Sequence, residues 1–341
     1  MADTMLQETR VLVVVAPSFN IATTMGFIDP LRAANYLDGA GHFKWEFASE
    51  AGGSCTSSNG AAIWTLPLNE VAASEVDIVV VSASWAPEKH ATDRTEKALR
   101  NWARRGASMI ALDTGAFILA QAGLLRGRKA TVHYEHIDAF QELFPDVEVV
   151  ENLFVLDGNR ITCCGGGASV DLGLQVLRGL HGSALANAAA RYVFHDTLRG
   201  PANRQQPDGA EPLGATVPAK LRLAIQVMEA NLEDPLPVPE ICKVVGISHR
   251  QLDRLFAVHV GKTPALYYRD IRLDRARGLV TQTRLPLAEI AIASGFASQV
   301  HFSRSYKDRF GLPPSVDRVE GRVPFEFRAW PMHRNPKDRD G

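Results

Sequence analysis

The sequence predicts two domains of different class, an α/β domain built on a mostly parallel sheet and then an all-α domain with two helix-turn-helix units. Runs of β-branched apolar residues at Arg10–Ala16, Asp77–Ser82 and Ser108–Leu112 alternate with stretches of helical periodicity, the pattern of buried parallel strands joined by helices. Residues 196–216 are rich in Pro, Gly and polar side chains, a composition that builds no core and reads as a linker. Beyond it one local pattern is written twice. Ile241, Gly246, Ile247, Ser248, Leu252, Arg254 and Phe256 are matched by Ile290, Gly295, Phe296, Ser298, Phe302, Arg304 and Tyr306, at an offset of 49 for Ile and Gly and 50 from Ser onward.

Taken in order, the first strand is followed by a helix over Phe27–Leu37 and, after the Asp77–Ser82 strand, by another over Thr92–Arg104, with Leu99 and Trp102 on one face. Ile161–Cys164 is a last short strand, and Gly165-Gly166-Gly167 leads into a helix from Ala168 to about Leu180, with a further helix over Ala184–Phe194. A Gly run at a helix start serves either an approaching anion or close packing of strand and helix. From Pro218 onward the chain reads as helical, and after Arg322 periodicity ends. The expected boundaries are 10–195 for the first domain, 196–216 for the linker, 217–318 for the helical domain and 319–341 for a tail.

The bulk properties limit what such a chain does. With 341 residues, 46% hydrophobic and 22% charged, it has the composition of globular protein in more than one domain. No apolar run reaches membrane-spanning length, and the N-terminus lacks a signal-peptide layout, so a cytoplasmic protein without membrane contact is expected. Cys55, Cys163, Cys164 and Cys242 match neither a disulfide framework nor a zinc spacing, and no metal or cofactor is expected. The overall charge of −1 conceals a split: residues 1–215 hold 17 Lys and Arg against 24 Asp and Glu, and residues 216–341 hold 20 against 14. A basic half joined to an acidic one suits a polyanion-binding module with an attached partner domain.

In each copy of the repeat a short apolar helix meets a Gly turn, and a Ser caps a second helix with Arg on its outer face. Val238–Val245 supports and His249–Val258 reads in the first unit, and Leu287–Ala293 and Gln299–Phe310 do so in the second. Leu252, Leu255, Phe256, Phe302 and Tyr306 fall on the inner faces, which leaves His249, Arg250, Asp253, Arg254, Gln299, Val300, His301, Ser303 and Arg304 outward or near the leading edge. Arg donates bidentately to guanine and an apolar Val meets a thymine methyl, whereas Lys307 suits phosphate. A helix over Pro264–Gln282, carrying Arg269, Arg272, Arg275 and Arg277, spaces the two readers. Successive major-groove faces lie about 34 Å apart. A double-stranded DNA operator is therefore the expected partner.

The stretches GISHRQLDRLFAVHVGKTPALYYRDIRLDRARGLV and LAEIAIASGFASQVHFSRSYKDRFGLPPS resemble the DNA-binding domain of AraC-type transcription regulators over about Pro218–Arg318. The resemblance implies that Arg250, Arg254, Val300, His301 and Arg304 face bases. Asp253 departs from the polar or basic choice usual at its position.

The segment ALDTGAFILAQAGLLRGRKATVH, with FIDPLRAAN and TCCGGGASVDLGL, resembles class I glutamine amidotransferase-like (PfpI-like) domains over about residues 10–195. The resemblance implies a flavodoxin-like doubly wound α/β fold with a sharp strand-to-helix elbow. Enzymes of that superfamily carry Cys at the elbow, and here the matching residue is Asp113. A carboxylate replaces a thiolate poorly as nucleophile, and Ala83-Ser84-Trp85 stands where oxyanion-site glycines are expected. His133 remains without a nucleophile beside it. No enzyme is therefore expected, an active amidotransferase or peptidase being the alternative.

Open α/β sheets bind ligands at the carboxyl ends of their strands, and the expected pocket holds Asp113 together with Asp29, His133 and the loop aromatics Phe19, Trp85 and Tyr134. Carboxylates and aromatic faces suit an ammonium group. Each acidic residue also has a plainer reading, as a helix cap for Asp113 and as the partner of Pro30 at a helix start for Asp29. The phrases PSFNIATTMGFIDPLRAAN and DTGAFILAQAGLLRGRKATVHYEH resemble regulators that control catabolism of choline-derived betaines, carnitine or arginine. That resemblance implies an activator with a small amine effector, acting as a homodimer with RNA polymerase as a further partner. The remaining alternative makes the first domain only a dimerisation scaffold.

Overall fold

The first apolar run forms β1, Thr9–Val15, and its residues Val11–Val15 are all buried, as expected of a strand covered on both faces. We describe residues 8–72, 76–85, 87–205, 218–283 and 285–320 of a computed structural model. The chain divides into two compact units, Met1–Gln205 and Gln206–Gly341.

In the N-terminal unit β1 is followed by helix α1 (Ile21–Asp38), β2 (Phe43–Ser49), β3 (Gly53–Thr56), β4 (Ala62–Pro67), β5 (Ile78–Ala83), α2 (Asp93–Arg104) and β6 (Ser108–Asp113). The chain continues through α3 (Gly115–Gln121), β7 (Lys129–Ala130), α4 (Ile137–Leu143), β8 (Glu148–Val149), β9 (Phe154–Asp157), β10 (Arg160–Cys163), α5 (Ala168–His181) and α6 (Ser183–Tyr192). The main sheet has eight strands in the order β3-β4-β2-β1-β5-β6-β10-β9. Its centre is parallel, and only the outer pairs β3/β4 and β9/β10 are antiparallel. From β1 the chain moves outward to β2 and returns on the other side at β5. The strand order therefore reverses between β1 and β5, where doubly wound sheets open a crevice.

Helix α1 starts six residues before the expected Phe27, because the Asn20 side chain accepts a hydrogen bond from the Thr23 amide at 3.2 Å and caps it. Pro30 lies inside this helix, so Asp29-Pro30 does not start one. The stretch expected to be a linker is partly docked. Within it the Arg199 guanidinium donates to the fully buried Asp171 carboxylate at 2.7 and 3.0 Å, beside His195, the last residue of the expected first domain, which contacts the same carboxylate at 2.7 Å. Gln205 donates to the Val132 carbonyl at 2.8 Å. Composition missed these tethers because a few polar groups supply them without apolar burial. Residues 206–216 of the expected linker lie outside the described residues.

The C-terminal unit is helical throughout its described length: α7 (Ala219–Glu229), α8 (Val238–Val245), α9 (His249–His259), α10 (Pro264–Gln282), α11 (Leu287–Ala293), α12 (Gln299–Phe310) and α13 (Pro314–Glu320). Leu221, Met228, Ile241, Val245, Leu252 and Phe256 form a core around the first helix pair. Around the second pair, Ile290, Phe302 and Tyr306 are fully buried. Asp317 on α13 accepts from the Tyr306 hydroxyl at 2.6 Å and from Arg277 at 3.0 Å, so it ties α10, α12 and α13 together. Of the expected tail, residues 321–341 lie outside the described residues. No helix among the described residues is long and apolar enough to cross a membrane.

Candidate functional site

Strand β6 ends at Asp113, where the chain turns sharply into α3. Asp113 has φ 58°, a left-handed conformation that costs a residue with a side chain about 1–2 kcal/mol. Two glycines make room for it. A Cβ on Gly115 would lie 2.1 Å from the Val81 carbonyl oxygen, and one on Gly165 would lie 3.1 Å from the Asp113 Cβ. Thr114, next in the turn, donates its hydroxyl to the Ser84 carbonyl at 2.6 Å. Within the Gly165–Gly167 run it is Gly165 that serves close packing against the elbow.

Asp113 is 5% exposed. Burial pushes its carboxyl up to about 7, and the charge of Glu135 pushes the same way, while hydrogen bonding from Ser84, Thr114 and Asn20 pulls it back. Near neutral pH this carboxyl is poised between its charged and neutral forms. Beyond it, residues Tyr134–His136 make a single 3-10 turn capped by His133, whose Nδ1 accepts from the Glu135 amide at 3.4 Å. Burial holds the His133 imidazole below its usual range, against the opposing pull of Glu135. Its ring lies 4.6 Å from that of Tyr134.

Cys163, on which the Asp113 charge acts, is fully buried, with burial and the adjoining Cys164 pushing its thiol well up. A thiol held in that form is a poor nucleophile.

The charge of Glu135 acts on Asp113, and His133 and Tyr134 belong to the same turn as Glu135, while Trp85 follows Ser84 just beyond β5. Two expected residues do not join them. Asp29 lies nine residues along α1 from Asn20, about 13 Å at the helical rise. It pairs with Arg32 at 2.6 Å on the rim of a groove of about 500 Å³ that also includes Trp45 and Phe47. The residue of α1 that reaches the elbow is its cap, Asn20. Phe19 is fully buried in the core, where its ring packs. Sequence reasoning missed Asn20, Ser84 and Glu135. Of these only Asn20 carried a signal, an Asn directly before a helix.

In the C-terminal unit the two turns are built alike. Gly246 and Gly295 have φ 69° and 71°, which lets each chain reverse after its supporting helix. Ser248 caps α9 through a reciprocal box with Gln251, and Ser298 caps α12 by accepting from the His301 amide at 3.3 Å. His249, Arg250 and Arg254 on α9 are exposed, as are Gln299, Val300, His301 and Arg304 on α12. Val300 is 81% exposed, an apolar side chain displayed on the outer face of α12. Asp253 contacts His249 at 3.0 Å within the same helix. The arginines of α10 have another role than a solvated surface. Arg272 lies over the rings of Tyr268 and Phe296 at 5.3 and 5.0 Å, and Arg277 lies over Phe310 at 4.7 Å.

Residues 9–179 match the DJ-1/PfpI family, and residues 241–319 match the helix-turn-helix domain family. The chain is 38% identical over 307 residues to the HTH-type transcriptional regulator CdhR of Pseudomonas aeruginosa, covering 89% of each protein. It is 36% identical over 301 residues to the HTH-type transcriptional regulator GbdR of the same species, covering 88% of this chain and 82% of the relative. Among solved structures, a THiJ/PfpI family protein from Pseudomonas syringae superposes with a TM-score of 0.51 at 19% identity, over 78% of this chain and 96% of that one.

Proposed function

The chain belongs to the family of HTH-type transcriptional regulators that join a DJ-1/PfpI domain to an AraC-type DNA-binding domain, and on that premise we propose that the Asp113 pocket is its effector site. The effector is a small metabolite bearing an amine or quaternary ammonium group, of the betaine, carnitine or basic amino acid type. The observation that carries this reading is the buried carboxyl at the elbow, held by geometry where an enzyme of the fold would place its nucleophile. Its charged form is disfavoured by burial and by Glu135, and a bound cation relieves both penalties. Tyr134 and Trp85 supply aromatic faces suited to the same group.

In this reading the N-terminal unit carries out no catalysis. Asp113 replaces the nucleophile, and the thiol of Cys163 is held protonated. His249, Arg250, Arg254, Gln299, Val300, His301 and Arg304 read the operator. The protein acts as a homodimeric activator that engages RNA polymerase when the effector is bound.

The test is calorimetric titration and thermal shift of the full chain with glycine betaine, carnitine and arginine. An effector at a hundredfold over its dissociation constant adds about 2.7 kcal/mol of stability. Asp113→Asn should abolish that response and leave operator binding intact. Stabilisation that survives in Asp113→Asn would rule out the pocket. No response to any amine would favour a dimerisation scaffold, and iodoacetamide-sensitive turnover would favour an enzyme.

A further inference from the structure

The residues His133–His136 (HYEH) match no common zinc spacing, and the sequence reading assigns no metal to them. The local backbone changes this. In a 3-10 turn residues three apart lie on the same edge, and here the His133 and His136 rings are 5.8 Å apart between centroids. The hydrogen bond from the His136 amide to the His133 carbonyl, 2.8 Å long, closes that turn. Glu135 comes to the same side, with its carboxylate 3.9 Å from His133 Nδ1. One donor atom from each of His133, Glu135 and His136 lies within 4.8 Å of the others.

Donors bonded to a tetrahedral ion at about 2.0–2.1 Å stand roughly 3.3 Å apart. The observed cluster is therefore open by at most about 1.5 Å. Side-chain rotation of Glu135, which is 62% exposed, and of half-buried His136 is enough to close it. The backbone of the turn already holds the three residues together and need not move. Two imidazoles and one carboxylate form a donor set of intermediate softness. It suits Zn²⁺, Co²⁺ or Ni²⁺, whereas Mg²⁺ and Ca²⁺ prefer sites built from oxygen alone.

We propose that His133, Glu135 and His136 form a binding site for one divalent transition-metal ion of the Zn²⁺ class, beside the Asp113 pocket, with a coordination position left open. Three protein ligands with a vacant position are the arrangement of metal sites that accept an outside donor. Because Glu135 is the residue whose charge bears on Asp113, the ion would sit at the edge of the elbow pocket. A carboxylate or amine donor of a small molecule can then complete its coordination. The site does not depend on the amine-effector reading, which rests on Asp113.

The test uses the full chain after dialysis against a chelator, titrated with ZnCl₂ by calorimetry and with CoCl₂ by visible absorption. One equivalent of Zn²⁺ should bind, and Co²⁺ should give the ligand-field bands of a site with nitrogen and oxygen donors. His136→Ala and Glu135→Gln should each weaken Zn²⁺ binding at least tenfold. Asp113→Asn should retain the metal, and MgCl₂ should not compete. Circular dichroism of each variant separates lost ligands from lost folding, and Glu135→Gln, at a largely exposed position, serves if His136→Ala unfolds. Absence of a saturable equivalent, or unchanged affinity in both ligand variants, would overturn the proposal. An unaltered chain that binds Zn²⁺ but shows no response to any amine would refute the effector reading alone.

Discussion

The guanidinium of Arg272 donates to the carbonyl oxygen of Gly295 at 2.8 Å, joining the long helix α10 to the turn of the second helix-turn-helix unit. A charged donor pins a backbone reversal that has no side chain of its own. The same guanidinium lies over the rings of Tyr268 on its own helix and Phe296 of the second turn, so polar and ring contacts both join α10 to the second unit. Arg272→Ala should destabilise the C-terminal unit by about 2 kcal/mol, from loss of a charge-assisted hydrogen bond and ring contacts. Arg272→Lys should recover little, because an ammonium cannot both stack on the rings and reach the carbonyl. Urea unfolding of the two variants checks this; equal stability of Arg272→Lys and the parent would show that charge alone matters.

Arg304 and Val300 lie on the exposed face of α12, whereas Lys307 is one turn further along it. Arg304→Ala should weaken operator binding by about 1–3 kcal/mol and relax the sequence preference at one position. Lys307→Ala should weaken binding to all sequences alike and lower the slope of log K against log salt by about 1. Fluorescence anisotropy with operator and scrambled duplexes over a salt series distinguishes the two. A uniform loss for Arg304→Ala would place that side chain on phosphate.

The two helix-turn-helix units and the long helix between them were legible almost residue by residue. The bounds of α8, α10, α11 and α12 follow from Ser caps, Gly turns and Pro at helix starts, all local signals. The first-unit reading helix extends one residue past its expected end, to His259. The central strands β1, β5 and β6 were also legible, because burial on both faces writes a continuous apolar run. The strands β2, β3 and β4 were not, since their burial is mixed and Phe43–Ser49 contains Lys44 and Glu46. The sharp turn at Asp113 was legible as an elbow, a feature of consecutive residues. Asn20, Ser84 and Glu135 reach it from three other segments, and only the folded sheet brings these together. Asp29 was misplaced for the same reason, as its helix begins at Ile21 and not at Pro30.

Gly115 is the residue on which the elbow geometry depends. Its Cα faces the Val81 carbonyl so closely that even a methyl group would overlap it, at 2.1 Å. The carbonyl belongs to the central strand β5 and cannot retreat without breaking the sheet. Gly115→Ala should cost the N-terminal unit more than about 3 kcal/mol, at the upper end for single substitutions. Gly123, with nothing within 4 Å of a built Cβ but a φ of +74°, should lose only about 1 kcal/mol as Ala. Thermal unfolding of the two variants side by side checks the contrast. Similar melting temperatures would mean that the elbow relaxes more freely than its contacts imply.

Asp113 should give the N-terminal unit an inverted acid response. Its folded pKa of about 7 lies above the ordinary 3.8, so the folded state holds the proton more tightly than the unfolded chain. Stability from this group is therefore complete below about pH 4 and is lost as pH rises through about 7. The full difference corresponds to about 4 kcal/mol as an upper bound. Asp113→Asn removes the titration, so its stability relative to the parent should rise between pH 5 and pH 8. A bound cation stabilises the carboxylate and displaces the proton, so effector affinity should fall by up to tenfold per pH unit below about 7. Unfolding curves for both proteins at pH 5 and pH 8, with titrations at the same values, test the two effects together. A difference between parent and variant that stays constant with pH would mean that Asp113 is already ionised in the empty pocket.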